Sequence, residues 1–243
     1  SGNADRFGEA TAILAGDLCL QWTDEVYSTS GLPAEHLARG RATFDRMRTQ
    51  LMGGQFLDML ESVRTWEGRS TDERIAAARK VIRFKSAKYT IEQPLLIGAL
   101  AGGVDPAAVP GLSGYGLALG EAFQLRDDLL GVFGDPEQTG KPAGDDVRGG
   151  KRTVLIAYTL DVADAGQRAE LTRSFGRADV DVAGIESVRG IIRATGAVER
   201  VESDITRLTH AATHALGEPA AYLQPEASTV LGELVALATD RVT

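Results

Sequence analysis

The sequence predicts an all-α fold, a single domain of packed helices over residues 1–243. Three observations carry that reading. Apolar residues recur at the i, i+4, i+7 spacing of an amphipathic helix. Runs with the two-residue period of a strand are scarce, so almost no sheet is expected. Helix-start signals, a proline in a first turn and a Ser-x-x-Glu cap, punctuate the apolar runs. No internal repeat and no linker divides the chain, and one bundle is the simplest arrangement.

The elements follow in order. Phe7, Thr11, Leu14, Leu18 and Trp22 form one apolar stripe on a helix that starts almost at the first residue. Cys19 lies in the apolar run 13–20 and reads as a small core residue. A second long helix is predicted over about 33–64, with Pro33 in its first turn. Ser70 and Glu73 then make a capping box, and the helical pattern continues to about Leu100, where Pro94 should kink or interrupt it. Another helix spans about 112–133. Residues 134–150, GDPEQTGKPAGDDVRGG, are rich in Gly, Pro and acids and read as a loop. Helical patterns resume at about Thr153, Ile185, Ala197 and Ser228, and residues 231–242 read as an amphipathic closing helix.

Composition excludes several function classes. The single cysteine rules out a disulfide framework and a Cys-rich zinc site, and fits a reducing cytoplasm. A net charge of −8 argues against nucleic acid as partner. An anionic small substrate stays open, because local lysines or bound cations decide that question. No apolar stretch reaches the roughly 20 residues of a membrane span, and residues 1–5 have no signal-peptide character.

The chemistry concentrates in Phe123-Gln124-Leu125-Arg126-Asp127-Asp128, where two adjacent acids interrupt an apolar helix. Burying an unpaired carboxylate there would cost several kcal/mol, so a cation should face the pair. Gln124 stands at i−3 and i−4 from the two acids, and all three can share one face. Hard oxygen ligands without nearby Cys or His point to Mg²⁺ rather than zinc. The competing reading is a partly solvated face paired to Arg126 or a neighbour. Lys141 and Lys151, set among glycines in the following loop, could grip phosphate oxygens as point charges. The loop is not a Walker A motif. Gln55 and Asp58 lie at i, i+3 on one helix, and Ser86 and Thr90 at i, i+4 on another; each pair alone is weak.

Together these segments resemble the trans-isoprenyl diphosphate synthase (polyprenyl synthetase) family, over nearly the whole chain. Residues 123–128 resemble its second aspartate-rich motif, FQxxDDxxD. Lys85-Ser86-Ala87 resembles its Lys-Thr-Ala motif, and Gly54-Gln55-Phe56-Leu57-Asp58 its GQxxD element. Gly140-Lys141, Asp145-Asp146 and Lys151 resemble its GK…D…K loop, and the segment from Phe7 to Asp17 the helix after the first aspartate-rich motif. Two departures stand out. Gly131 replaces the last Asp of the second motif, and no DDxxD with a following Arg-Arg occurs; that element would lie upstream of Phe7. The N-terminal helices that carry it are therefore expected to be absent from this sequence.

The resemblance implies a helical bundle of the isoprenoid synthase type around a central cavity. It implies Mg²⁺-dependent condensation of an allylic diphosphate with isopentenyl diphosphate, giving a longer trans-polyprenyl diphosphate. Asp127 and Asp128 would hold Mg²⁺, with Asp58 joining through water. Lys85, Lys141, Lys151 and Gln55 would hold diphosphate, and Ser86 and Gln124 would turn oxygen dipoles toward the developing cation. The loop over 134–150 would act as a lid. A homodimer in the cytoplasm is implied as well. The alternative is a non-catalytic regulatory subunit or inactive relic of such a synthase, which an intact mass near 25.8 kDa would favour. A class I terpene cyclase is disfavoured, since the sole asparagine is Asn3 and no D-D-x-x-S run exists. A di-iron carboxylate bundle would need Glu-x-x-His motifs, which are absent. His210 and His214, one turn apart, read as solvated, and Trp22 and Trp66 as core or interface residues.

Overall fold

A computed structural model describes residues 2–134, 144–217 and 219–239. Among them every regular element is helical. Helix α1 (Ala4–Ser28) is capped by the Asn3 side chain, and α2 (Ala34–Val63) follows a turn through Gly31 and Pro33. The Ser70–Glu73 capping box opens α3 (Thr71–Val81). The chain then runs without a break through a π-helix (Ile82–Glu92) into α4 (Gln93–Ala101). A 3₁₀ turn (Pro106–Ala108) leads into α5 (Val109–Phe133). After it come α6 (Asp145–Gly149), α7 (Val154–Val162), α8 (Ala165–Ser174), α9 (Val182–Ala194) and α10 (Ala197–Gly217). A second 3₁₀ turn (Pro219–Tyr222) precedes α11 (Pro225–Thr239).

Helix α5 is the axis of the bundle. One side packs on the π-helix and the other on α10. Its Ala122, Leu125, Leu129 and Val132 share the main core with Leu155 of α7, Ile192 of α9 and Val201 of α10, and with Trp66, Ala78 and Ile82. A second cluster joins Tyr115 and Leu119 to Ala212, Leu216 and Val235. No helix among the described residues is long and apolar enough to cross a membrane.

Four sequence expectations change. Pro94 does not interrupt the helix. Gln93 N–H bonds to Lys88 O, five residues back, and Pro94 falls in the first turn of α4, where its missing N–H coincides with the change of register. The segment 134–150 is not wholly loop, since α6 lies within it. Helix α8 has only Leu171 as an apolar anchor and so shows no periodicity; its sequence signal is the capping box Asp164–Gln167. Cys19 is exposed rather than in the core, because α1 has no buried residue at all. The stripe predicted on that helix is real but uncovered: Phe7 is 74% exposed, Leu14 68% and Trp22 52%. Only its C-terminal end is tied down. Tyr27 stacks on Phe44, donates to Leu37 O at 2.7 Å, and Arg41 and Arg48 both reach Asp24.

Candidate active site

A cleft opens where α2, the α3–π-helix run, the end of α5 and residues 151–153 meet. Asp58, Lys85, Ser86, Gln124, Asp127, Asp128, Lys151, Arg152 and Thr153 line it, over a floor that includes Ala78, Val81 and Ile82. Six of the sequence-predicted site residues thus converge from three helices, and Lys151 joins them from the segment 151–153. Gln55 is exposed on α2 and does not line the cleft. Lys141 and most of the predicted lid lie outside the described residues.

Two glycines let the walls close. A β-carbon at Gly54 of α2 would lie 2.5 Å from Lys85 N, and one at Gly120 of α5 would lie 2.6 Å from Ala87 Cα. The π-helix is therefore clasped backbone to backbone from both sides. One turn beyond each glycine stands a polar residue of the cleft, Asp58 after Gly54 and Gln124 after Gly120. Close approach at the glycine brings Lys85 Nζ within 2.5 Å of Asp58 Oδ2. It also sets Ser86 and Gln124 on one cavity.

The paired acids point inward. Asp128 is buried at 2% exposure and Asp127 is half-buried. Gln124 Nε2 donates to Asp127 Oδ2 at 3.1 Å and to Asp128 Oδ1 at 3.0 Å, the shared face that their spacing predicts. The cation opposite is Lys151. Its ammonium lies 2.8 Å from Asp128, 3.4 Å from Asp146 and 4.0 Å from Asp127. Burial works against charge throughout this cluster, but Asp128 and Asp146 outweigh it for Lys151 and hold its pKa well above the ordinary lysine range. Burial pushes the Asp128 and Asp146 carboxyls up, against the pull of Lys151.

Asp146 has a relation to Gly131 that no local pattern announces. A β-carbon at 131 would fall 2.5 Å from Asp146 Cγ. The α6 carboxylate therefore occupies the volume beside α5 into which a side chain at 131 would project. A third carboxylate reaches the cluster from α6 instead of from α5.

These residues fit a divalent cation of the hard type. Among the described residues no three acidic, His or Cys groups form a ready-made metal cage. Mg²⁺ is commonly held by one or two carboxylates with substrate phosphates completing its shell. Adjacent inward carboxylates that already gather a cation, beside lysines able to take phosphate oxygens, meet that description. His210 and His214 are exposed and do not line the cleft.

Comparison with known proteins identifies the family. The family model described as polyprenyl synthetase matches residues 3–192. A geranylfarnesyl diphosphate synthase of Aeropyrum pernix is 34% identical over 200 residues, covering 81% of this chain and 59% of that protein. A geranylgeranyl diphosphate synthase of Sulfolobus acidocaldarius is 29% identical over 190 residues, covering 77% of this chain and 56% of the relative. Among solved structures, a geranylgeranyl pyrophosphate synthase from Corynebacterium glutamicum, complexed with isoprenyl diphosphate and magnesium, aligns with a TM-score of 0.89. It is 42% identical, and the match covers 100% of this chain and 66% of that one. The chain thus spans less than two thirds of the length of these relatives.

Proposed function

The chain belongs to the polyprenyl synthetase family, and from that premise we propose that it condenses an allylic diphosphate with isopentenyl diphosphate to give a longer trans-polyprenyl diphosphate. The observation that carries this reading is the inward pair Asp127 and Asp128, joined by Gln124 and faced by Lys151 across one cleft.

Asp127 and Asp128 are the residues that would hold Mg²⁺, with Asp146 as a third carboxylate and Asp58 acting through water. The chemistry Mg²⁺ would supply there is Lewis-acid neutralisation of the diphosphate leaving group as its bond to the allylic carbon breaks. Lys85 and Lys151 exchange their present carboxylate partners for phosphate oxygens, and Lys141, outside the described residues, is a further diphosphate ligand in this reading. Gln55, exposed on α2, would reach the same diphosphate only from outside the cleft. Both carboxylate contacts of Gln124 use its amide nitrogen, which leaves Oε1 to face the cationic carbon, with the Ser86 hydroxyl beside it. The double bond of isopentenyl diphosphate attacks that carbon, and the new cation loses a proton. No histidine lines the cleft, so the departed diphosphate is the base.

The uncovered stripe of α1 supports a homodimer, since exposed apolar faces of this kind mark interaction surfaces. The exposed, unpaired Cys19 thiol suits a reducing cytoplasm. The test is incubation of the full chain with Mg²⁺, isopentenyl diphosphate and allylic primers of increasing length. The expected product is an elongated diphosphate, reduced by orders of magnitude in Asp127→Ala while the helical circular dichroism is kept. Equal turnover in that variant would remove the metal assignment.

A further inference from the structure

Arg152 lines the cleft beside Lys151 and forms no ion pair among the described residues; Glu61 attracts it only from beyond ion-pair distance. Lys85 is paired with Asp58 and Lys151 with Asp128, whereas no carboxylate among the described residues stands within ion-pair distance of the Arg152 guanidinium. Its Nε is buried without a hydrogen-bond partner. What holds the side chain is the Trp66 ring, whose centroid lies 5.6 Å from Cζ. That ring is itself pinned. Trp66 is 4% exposed, its Nε1 donates to Glu61 Oε2 at 3.2 Å, and its carbonyl accepts two bonds from Arg74.

The manner of holding matters. An ion pair would use the in-plane N–H donors of the guanidinium. A cation–π contact with the ring uses none of those donors and leaves them available to a ligand. The carboxylate that attracts this partly buried cation, Glu61, is already bound to Arg69 and to Trp66 Nε1, so an anion in the cleft would complete the pairing of Arg152.

We propose that Arg152 is a further diphosphate-binding residue, a planar fork kept ready on Trp66 for two phosphate oxygens of the substrate. The proposal rests on the reading of the cleft as a diphosphate site. It also separates the roles of the three cations. Lys85 and Lys151 must leave a carboxylate before they can take phosphate, and Arg152 need not.

The test is calorimetric titration of inorganic diphosphate with Mg²⁺ into the full chain and into Arg152→Met, Arg152→Lys and Lys85→Ala, with a thermal melt of each. Methionine keeps an apolar contact with the indole, so Arg152→Met should melt as the unaltered protein does. Its diphosphate affinity should fall by about ten- to a hundredfold, the range for hydrogen bonds to a charged group. Arg152→Lys should fall between, having charge without the fork. Unchanged affinity in both Arg152 variants, with loss only in Lys85→Ala, would overturn the proposal and leave the cleft's assignment standing. Failure of the unaltered chain to bind Mg²⁺-diphosphate would overturn both.

Discussion

Asp146 and Gly131 behave as one unit, and that has a measurable consequence. The α6 carboxylate sits where a β-carbon at 131 would be, 3.4 Å from Lys151. Gly131→Ala should therefore displace it and weaken divalent binding by about tenfold, the scale for losing a group that orients or supplements metal ligands. Gly131→Asp alone should be worse, since it adds a like charge to a crowded site. Combining Gly131→Asp with Asp146→Gly should recover affinity, because the carboxylate then comes from α5. Manganese titration followed by electron paramagnetic resonance reads all three. At this scale, what was legible in the sequence was local. Gln124, Asp127 and Asp128 are related by helical spacing, and their hydrogen bonds follow from it. Arg152 against Trp66 and Asp146 against Gly131 are contacts between distant segments, for which spacing gives no signal. For Asp146 a hint existed in the coincidence of a glycine at an acid position with acids in the next loop.

The decisive element is the π-helix. Residues 82–92 have no composition of their own that marks the wider register, and periodicity alone predicts a continuous helix with a break at Pro94. The register belongs to packing between three helices. Gly54 and Gly120 admit the π-helix backbone on two sides, and the polar residue one turn beyond each reaches the cleft. Gly54→Ala would drive a methyl group into the Phe84–Lys85 peptide, which is main chain and cannot rotate away. A destabilisation of about 1–3 kcal/mol is expected, typical of overpacking. The KM for the allylic diphosphate should rise along with it, because the backbone that carries Lys85 is displaced from the cleft wall. Thermal melts and steady-state kinetics of the one variant give both numbers; an unchanged KM would mean that the clasp does not position Lys85. Helix α8 shows the opposite limit of sequence reading. It was missed because one buried leucine makes no period, although its cap was in plain sight.

For the whole molecule, the all-helical class and the course of α1 to α5 were legible because long apolar periods survive any packing arrangement. What the stripe on α1 packs against was not, because amphipathicity gives a direction and not a partner. The homodimer proposed for this face predicts that Leu14→Glu and Leu18→Glu convert the chain to a monomer in sedimentation velocity. The cleft residues lie elsewhere in sequence and structure, so binding of inorganic diphosphate should survive when measured on that monomer at temperatures below its own melting range.

The positions of the two tryptophans give the chain separable optical signals. Trp66, enclosed beside Arg152, should emit at short wavelength and resist acrylamide. Trp22, half open on α1, should emit at long wavelength and quench readily. A blue shift of the quenchable component on raising protein concentration would report association, while a change in the protected component on adding diphosphate would report the cleft.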